Sequence, residues 1–99
     1  MANYSFSKLA VDDINVIWNY TYEQWSEKQA DQYYNELIKK CEMLANHPKI
    51  GREYFKLFIN LRGFKVNKHI IFYRQIDQSS IEIDRILHER MDLKTRLRK

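Results

Sequence analysis

The residues best suited to chemistry lie near the C-terminal end of the chain, where His88 stands among Arg85, Glu89 and Arg90. An imidazole titrates near neutral pH and can act as a general acid or base, and arginines beside it can bind an anionic group. A hydrogen-bonded histidine with a purely structural role is the alternative at the end of a strand. The sequence leaves both interpretations of His88 open.

Three arginines are equally ambiguous, because each falls on the same side of a predicted strand as apolar residues. Arg62 accompanies Phe64 and Val66, Arg74 accompanies Ile70 and Phe72, and Arg85 accompanies Ile81 and Ile83. In one interpretation the arginine stems cover the core and the guanidinium groups pair with carboxylates such as Asp12, Asp13 or Asp92. In the other, the arginines line a concavity that binds phosphate or carboxylate through bidentate hydrogen bonds.

The remaining histidines and the single cysteine are interpreted as structural. His47 stands beside Pro48 in a predicted loop, and His69 begins a predicted strand. Cys41 has no partner for an internal disulfide, and one cysteine cannot form a zinc-binding cluster. We therefore expect Cys41 in the core and no metal or other cofactor.

Two helices are predicted to precede the sheet that carries these residues. A short strand over residues 3–6 leads to Ser7, a plausible N-cap, and Ser26-Glu27-Lys28-Gln29 has the form of a capping box that starts a second helix. Asn46-His47-Pro48 ends that helix, because proline cannot continue the hydrogen-bond ladder. The apolar stripe of the first helix is Leu9, Ala10, Ile14, Ile17, Trp18, Thr21 and Trp25, and that of the second is Ala30, Tyr33, Tyr34, Leu37, Ile38, Cys41, Leu44 and Ala45.

Three strands are predicted over residues 61–66, 69–76 and 81–87, joined by the short turns 67–68 and 77–80. Short sequential turns imply an antiparallel meander. The middle strand is apolar on both sides and should be covered on both faces or lie centrally in the sheet. Residues 49–60 fit either a short strand or a helical turn. The expected fold is a single α+β domain over residues 1–99, with an N-terminal strand, a two-helix antiparallel hairpin, an antiparallel sheet and a short C-terminal tail.

Composition sets only broad limits on function. The chain has 99 residues, 44% of them hydrophobic, and a formal net charge of +4. This charge favours an acidic partner, although many small basic proteins have none. The first residues lack a basic region followed by an apolar run, and about 18 consecutive apolar residues occur nowhere in the chain. We expect a cytoplasmic protein with no membrane partner.

Several segments in a fixed order carry a resemblance to the ParE toxins of the RelE/ParE superfamily. The segments are Ile17-Trp18-Asn19-Tyr20-Thr21, Trp25, Gln29-Ala30, residues 44–52, Leu61-Arg62, residues 69–74 and residues 85–92. They span nearly the whole chain. Two departures are Ser26, where a glycine commonly follows the tryptophan, and the aromatic stretch over residues 54–59.

The resemblance implies a two-helix hairpin on a curved sheet and a toxin encoded beside a ParD-like antitoxin, in a system that stabilises a plasmid or chromosome. Such toxins act on DNA gyrase, trap it on cleaved DNA and block replication without cutting a substrate themselves. The toxin alone is not expected to bind nucleic acid sequence-specifically. Target-contact candidates are His88, Arg90, Met91 and Asp92 in the tail, then Arg62, Arg74 and Arg85. Antitoxin-contact candidates are Trp18, Tyr22, Trp25, Tyr33, Tyr34 and Leu37.

A RelE-like, ribosome-dependent mRNA endonuclease is the alternative function. Cleavage by a 2′-hydroxyl needs a base, an acid and cations that stabilise the phosphorane charge, for which Arg62, Arg85 and His88 are candidates. The C-terminal segment after residue 90 contains no tyrosine or further histidine of the kind that the nuclease branch uses. The gyrase inhibitor is therefore the favoured interpretation, and an antitoxin-bound or inert relative that has lost toxicity is the third.

Overall fold

The computed structural model describes residues 2–97 of the chain, and in this range it forms an α+β fold, as predicted. The elements are β1 (Asn3–Phe6), α1 (Lys8–Gln24), α2 (Glu27–Asn46), β2 (Arg52–Glu53), β3 (Leu61–Val66), β4 (His69–Asp77), β5 (Ser80–His88) and α3 (Leu93–Leu97). The expected single domain over residues 1–99 includes Met1, Arg98 and Lys99, which lie outside the described residues.

Side-chain caps start both long helices. The Ser7 hydroxyl accepts a hydrogen bond from the Ala10 N–H at 3.0 Å. The Ser26 hydroxyl accepts one from the Gln29 N–H at 3.1 Å, which is the serine half of the predicted capping box. The predicted end of α2 before Pro48 is confirmed. The stripe predicted for α1 is wrong at Leu9, which is 46% exposed, and at Trp25, which forms the C-cap and is 70% exposed. The stripe predicted for α2 is wrong at Tyr34, which is 40% exposed.

The sheet is mixed rather than wholly antiparallel. Its strand order is β1-β5-β4-β3-β2, and β3, β4 and β5 form the predicted antiparallel meander. β1 instead pairs with β5 in parallel, with Asn3 opposite Ser80 and Phe6 opposite Ile83. This pairing was not predicted, because it depends on where the chain places its first strand relative to a segment more than 70 residues away.

Hydrophobic clusters cover both faces of β4, as predicted for the middle strand. Ile71 and Tyr73 join the cluster that α1 and α2 form on the first face of the sheet. Ile70 and Phe72 lie in a smaller cluster on the second face. That second cluster contains Leu97 of α3, a helix that the sequence did not predict, and Tyr54 and Leu57 pack against it.

A β-bulge at Asp84 corrects the predicted side of Arg85. Arg85 lies opposite Phe72 and Ile83 lies opposite Tyr73, so one extra residue stands between the two pairs on β5. Side chains alternate between faces along a strand, and one extra residue reverses the alternation. Arg85 therefore leaves the register of Ile81 and Ile83 and shares the side of Phe72.

Residues 49–60 contain both structures that the sequence left open. β2 is a two-residue edge strand, and a tight turn follows in which the Leu57 and Phe58 N–H groups donate to the Tyr54 carbonyl at 2.9 and 3.2 Å. Asn60 closes the turn with a φ of 62°. Asparagine tolerates this left-handed conformation better than most residues, so its position suits the turn.

Candidate functional site

A cavity of about 580 Å³ lies between α1 and the end of β5, where the sequence placed its first target-contact candidates. We call it the tail cavity. His88, Arg90 and Met91 line it from the tail, and Val16 and Tyr20 line it from α1. Val16 is 65% exposed and Tyr20 62%. The cavity thus combines an apolar wall with cationic side chains, which suits contact with another macromolecule.

Val16 and Tyr20 are not among the site residues predicted from the sequence. Their spacing of four residues, off the main apolar stripe of α1, is the signal that a second apolar surface exists on this helix. The two side chains lie beside the tail rather than facing the core.

His88 takes part in a local hydrogen-bond arrangement. Its Nδ1 accepts from the Arg90 backbone N–H at 3.1 Å, so the neutral ring carries its proton on Nε2. Its ring stands edge-on to that of His69, with the centroids 5.4 Å apart. This geometry matches the structural interpretation of His88, and it also orients the backbone of the tail at Arg90.

His69 is held by Tyr33 of α2. The Tyr33 hydroxyl donates to the Val66 carbonyl at 3.1 Å and lies 2.8 Å from His69 Nδ1. A hydroxyl has one hydrogen, so when it donates to the Val66 carbonyl, the contact with His69 needs a proton on Nδ1. Burial lowers the pKa of His69, His88 lowers it further, and Glu89 opposes the shift. Burial also raises the pKa of Tyr33 to about 12.

Arg85 is bound by a carboxylate, as the structural interpretation of the arginines expected. Its Nε and Nη2 donate to Asp13 at 2.8 and 2.9 Å, and the same carboxylate accepts from the Ile86 N–H at 3.0 Å. β1 ends at Phe6, so the outer edge of β5 is uncovered beyond Ile83. Asp13 caps this edge and fixes α1 to it.

Arg74 is also paired with carboxylates. Its Nε donates to Asp84 at 2.6 Å, and its Nη2 donates to Glu82 at 3.1 Å. A hydrogen bond with Asp84 and burial raise the pKa of Glu82, and Arg74 opposes that rise. Arg74 and Arg85 line a second cavity of about 420 Å³, which we call the arginine cavity. A concavity with arginines therefore exists, but neighbouring carboxylates partly neutralise both guanidinium groups.

Arg62 does not join the other arginines. Its Nη1 donates to the Gly51 carbonyl at 3.0 Å and to the Lys49 carbonyl at 3.4 Å, and its guanidinium group lies 5.4 Å from the centre of the Phe55 ring. Arg85 and His88 both line the tail cavity, whereas Arg62 braces the chain between α2 and β3. The three residues considered for RNA cleavage are therefore not brought together as a group.

Met91 and Asp92 have different environments although they are adjacent in sequence. Met91 is 38% exposed and lines the tail cavity. The Asp92 carboxylate accepts from the Thr95 hydroxyl at 2.8 Å at the start of α3, and hydrogen bonds with Thr95 lower the pKa of Asp92. Asp92 thus has a local structural role, while Met91 and the exposed Arg90 are free to contact a partner.

Three aromatic residues expected to contact an antitoxin, Tyr22, Trp25 and Tyr34, are exposed on the helical hairpin, and Trp18 is half-buried beside Tyr22. Trp18 stacks on Tyr22 with centroids 5.3 Å apart, and the Trp18 Nε1 donates to Asp31 of α2 at 3.0 Å. Tyr22 is 50% exposed and Tyr34 40%. We call Trp18, Tyr22, Trp25 and Tyr34 the hairpin surface.

Two of the predicted antitoxin contacts differ from this group. Leu37 is fully buried in the first cluster, so its prediction as a surface contact is wrong. It lies on the side of α2 that faces the sheet, together with Cys41 and Leu44. Tyr33 is half-buried and holds His69, so only part of its ring is accessible.

Residues 2–97 contain neither a candidate metal site nor a candidate membrane span. No group of three or more histidine, cysteine, aspartate or glutamate side chains is placed to hold a metal ion there. In the same range, none of the helices is both long enough and apolar enough to span a bilayer. Cys41 is buried, and burial raises its pKa to about 12.

Comparison with known proteins gives consistent results. A family model described as the ParE toxin of the type II toxin–antitoxin system parDE matches residues 4–93. Toxin ParE1 of Mycobacterium tuberculosis is 34% identical over 92 residues, which cover 93% of this chain and 94% of that toxin. Toxin ParE1 of Caulobacter vibrioides is 34% identical over 97 residues, covering 98% and 99% of the two chains. Toxin ParE of Escherichia coli is 31% identical over 97 residues, covering 98% and 94%.

A solved structure shows the same fold. A chain of the chromosomal ParDE TA system from P. aeruginosa superposes with a TM-score of 0.74, covering 89% of this chain and 96% of that chain. Its sequence identity is 15%, so this likeness concerns the fold alone.

Proposed function

This chain belongs to the ParE toxin family of type II toxin–antitoxin systems, and on that premise we propose that it inhibits DNA gyrase and is neutralised by a ParD-like antitoxin. The observation that carries the proposal is the family match over residues 4–93, which includes the tail up to Leu93. Inhibition would block replication. The proposal places the protein in the cytoplasm with gyrase, and it treats residues 1–99 as one toxin domain that needs no cofactor.

The tail cavity supports a binding mechanism on the target. Met91, Val16 and Tyr20 offer exposed apolar surface, and Arg90 and Arg96 add positive charge at the same cavity. Partly exposed apolar groups surrounded by cations suit a protein surface that carries carboxylates. We assign first contact with gyrase to this cavity, with Arg90 and Met91 as the tail residues that reach the target.

The mechanism proposed here involves binding without catalysis by the toxin. A nuclease built on the residues considered for RNA cleavage would need free guanidinium groups from Arg62 and Arg85 beside the His88 imidazole. Asp13 binds Arg85, Asp84 and Glu82 bind Arg74, and the Nδ1 of His88 accepts a backbone N–H. These contacts favour structural roles for the groups that catalysis would require.

The hairpin surface supports the antitoxin as the second partner. Its exposed rings lie on two helices joined through Trp25 and Ser26. An amphipathic segment that lies across neighbouring helices buries such rings efficiently, and aromatic residues contribute strongly to interfaces. Trp25 and Tyr22 are the most exposed of the four rings and are the expected anchors.

A gyrase supercoiling and DNA-cleavage assay with the purified chain tests the proposal. We expect lost supercoiling, accumulated cleaved DNA and reversal of both effects by the ParD-like antitoxin. The variant Arg90→Ala/Met91→Ala should inhibit less, while Trp25→Ala should inhibit normally but respond weakly to antitoxin. Cleavage of ribosome-bound mRNA in a parallel assay, with gyrase unaffected, would instead establish the nuclease.

A further inference from the structure

The segment between α2 and β3 is built as an ordered loop. Tyr54 and Leu57 point inward and pack against the second hydrophobic cluster. The Tyr54 N–H donates to the Leu61 carbonyl at 2.9 Å, and the Leu61 N–H donates to the Phe58 carbonyl at 3.2 Å. Arg62 adds bonds to the Gly51 and Lys49 carbonyls. The loop therefore has its own anchors and hydrogen bonds.

Other apolar residues of this loop face solvent, although Tyr54 and Leu57 in the same loop pack inward. Ile50 is 53% exposed, Phe55 44%, Phe58 36% and Ile59 76%. Asn60 follows Ile59 with a φ of 62°, so the backbone adopts an uncommon conformation directly beside the most exposed residue. Clustered exposed apolar side chains on an ordered loop are typical of an interaction surface.

The charged side chains within residues 49–60 are mostly cationic. Lys49, Arg52 and Lys56 are exposed, and Glu53 is the single acidic residue between positions 49 and 60. This excess of cations calls for a partner that carries negative charge. A second copy of the chain would bring like charges together and is disfavoured.

The loop is continuous with the tail cavity along one side of the molecule. Phe58 and Arg96 line the arginine cavity, and Arg96 also lines the tail cavity. A partner that contacts the tail can therefore extend across α3 to the loop.

We propose that Ile50, Phe55, Phe58 and Ile59, with Lys49, Arg52 and Lys56, form a second docking surface for an acidic, apolar-centred patch on the protein that the toxin targets. This inference rests on the proposed function in one respect, namely that the toxin acts by binding a protein target. A protein is favoured over nucleic acid because Ile50 and Ile59, the two most exposed apolar residues here, have no π face on which a base can stack.

Two single variants with matched controls test the proposal. Ile59→Ser removes exposed apolar surface, and Val11→Ser does the same on α1, where Val11 is 41% exposed. Lys56→Glu reverses an exposed charge, and Lys39→Glu does so on α2. All four positions are on the surface, so thermal unfolding should change little. Each variant is measured for growth arrest on induced expression, gyrase inhibition, affinity for the purified ParD-like antitoxin, and binding of a 20-base-pair duplex.

We expect Ile59→Ser and Lys56→Glu each to need about 10-fold more toxin for growth arrest, the loss typical of an interface residue that contributes strongly. Their antitoxin affinity should match that of the unmodified chain, and both controls should remain toxic. Undiminished growth arrest by the loop variants would overturn the proposal. So would an equal loss of antitoxin affinity, or a loss of duplex binding by the toxin alone, which would assign the surface to antitoxin or nucleic acid.

Growth arrest does not depend on the identity of the target, which separates the two proposals. If the chain arrests growth while gyrase remains active, gyrase is the wrong target, and the loop variants still decide the docking surface. If the unmodified chain fails to arrest growth, both proposals are wrong.

Discussion

Substitution of Asp13 by alanine should destabilise the fold more than alanine substitution of any other polar residue in α1. The carboxylate binds the Arg85 guanidinium group through two hydrogen bonds and accepts the Ile86 N–H. The Asp13 side chain is only 13% exposed and that of Arg85 16%. Removal of Asp13 therefore leaves the Arg85 charge without its carboxylate, with the Arg96 carbonyl as its remaining acceptor, and leaves the Ile86 N–H without a protein partner.

The magnitude follows from these contacts. Breaking a buried ion pair costs about 3–5 kcal/mol, and the residual exposure of this pair places the loss near the lower limit. We expect Asp13→Ala to lower the free energy of unfolding by about 3 kcal/mol, which is a large part of the total for a domain of this size. Asp13→Asn keeps one acceptor oxygen and should lose about 1–2 kcal/mol. Asp12, its exposed neighbour, provides the control Asp12→Ala.

Urea unfolding followed by far-UV circular dichroism measures the effect. A loss of about 3 kcal/mol should lower the unfolding midpoint by roughly 2–3 M urea. The double variant Asp13→Ala/Arg85→Ala should be less destabilised than the sum of the two single variants, because the unpaired charge is removed as well. An Asp13→Ala midpoint within about 0.3 M of that of Asp12→Ala would refute the assigned role of the carboxylate.

Three further predictions concern other parts of the fold. Tyr73→Phe removes the hydroxyl that donates to the Pro48 carbonyl and accepts from the Gly51 N–H, so urea unfolding should show a free energy of unfolding lower by about 1–3 kcal/mol. Gly51→Ala should also destabilise the fold, because the added Cβ would collide with the same hydroxyl. Because the pKa of His69 is lowered in the folded chain, the unfolded chain binds more protons just below pH 6.5, and stability should fall as the pH drops through that range. In His69→Gln, the urea midpoint should depend less on pH over the same range. Trp25→Ala should weaken antitoxin binding in calorimetry at unchanged melting temperature, whereas Leu37→Ala should cost about 3 kcal/mol of stability.

Local patterns predicted α1, α2 and the meander, while contacts between distant segments determined the geometry of the site and the position of α3. The caps at Ser7 and Ser26 and the periodicity of α2 depend on neighbouring residues, and they were read correctly from the sequence. Leu37 and Tyr34 fit the same helical stripe, and only the path of α2 over the sheet decides which is buried. Sequence periodicity could not separate them.

The bulge at Asp84 is a second feature that local sequence patterns could not predict, and it lies at the site itself. Strict alternation placed Arg85 with Ile81 and Ile83, and one extra residue moved it to the other side. The sequence suggested Asp13 among three possible partners for the arginines. It did not reveal that β1 stops at Phe6 and leaves a backbone edge on β5, which is why Asp13 rather than Asp12 is the partner.

The position of α1 constrains how an antitoxin can neutralise the toxin. Val16 and Tyr20 line the tail cavity, whereas Trp18 and Tyr22 belong to the hairpin surface, and two helical positions correspond to a rotation of about 200°. The two surfaces are thus on opposite sides of one helix, which Asp13 fixes to β5. An antitoxin segment that covers only the hairpin surface should bind yet leave the toxin active. Because α1 is held in place, binding on one side of the helix does not change the tail cavity on the other side. Neutralisation should require a segment long enough to pass around α1 and cover Tyr20, and growth rescue by successively shortened antitoxins would reveal that length.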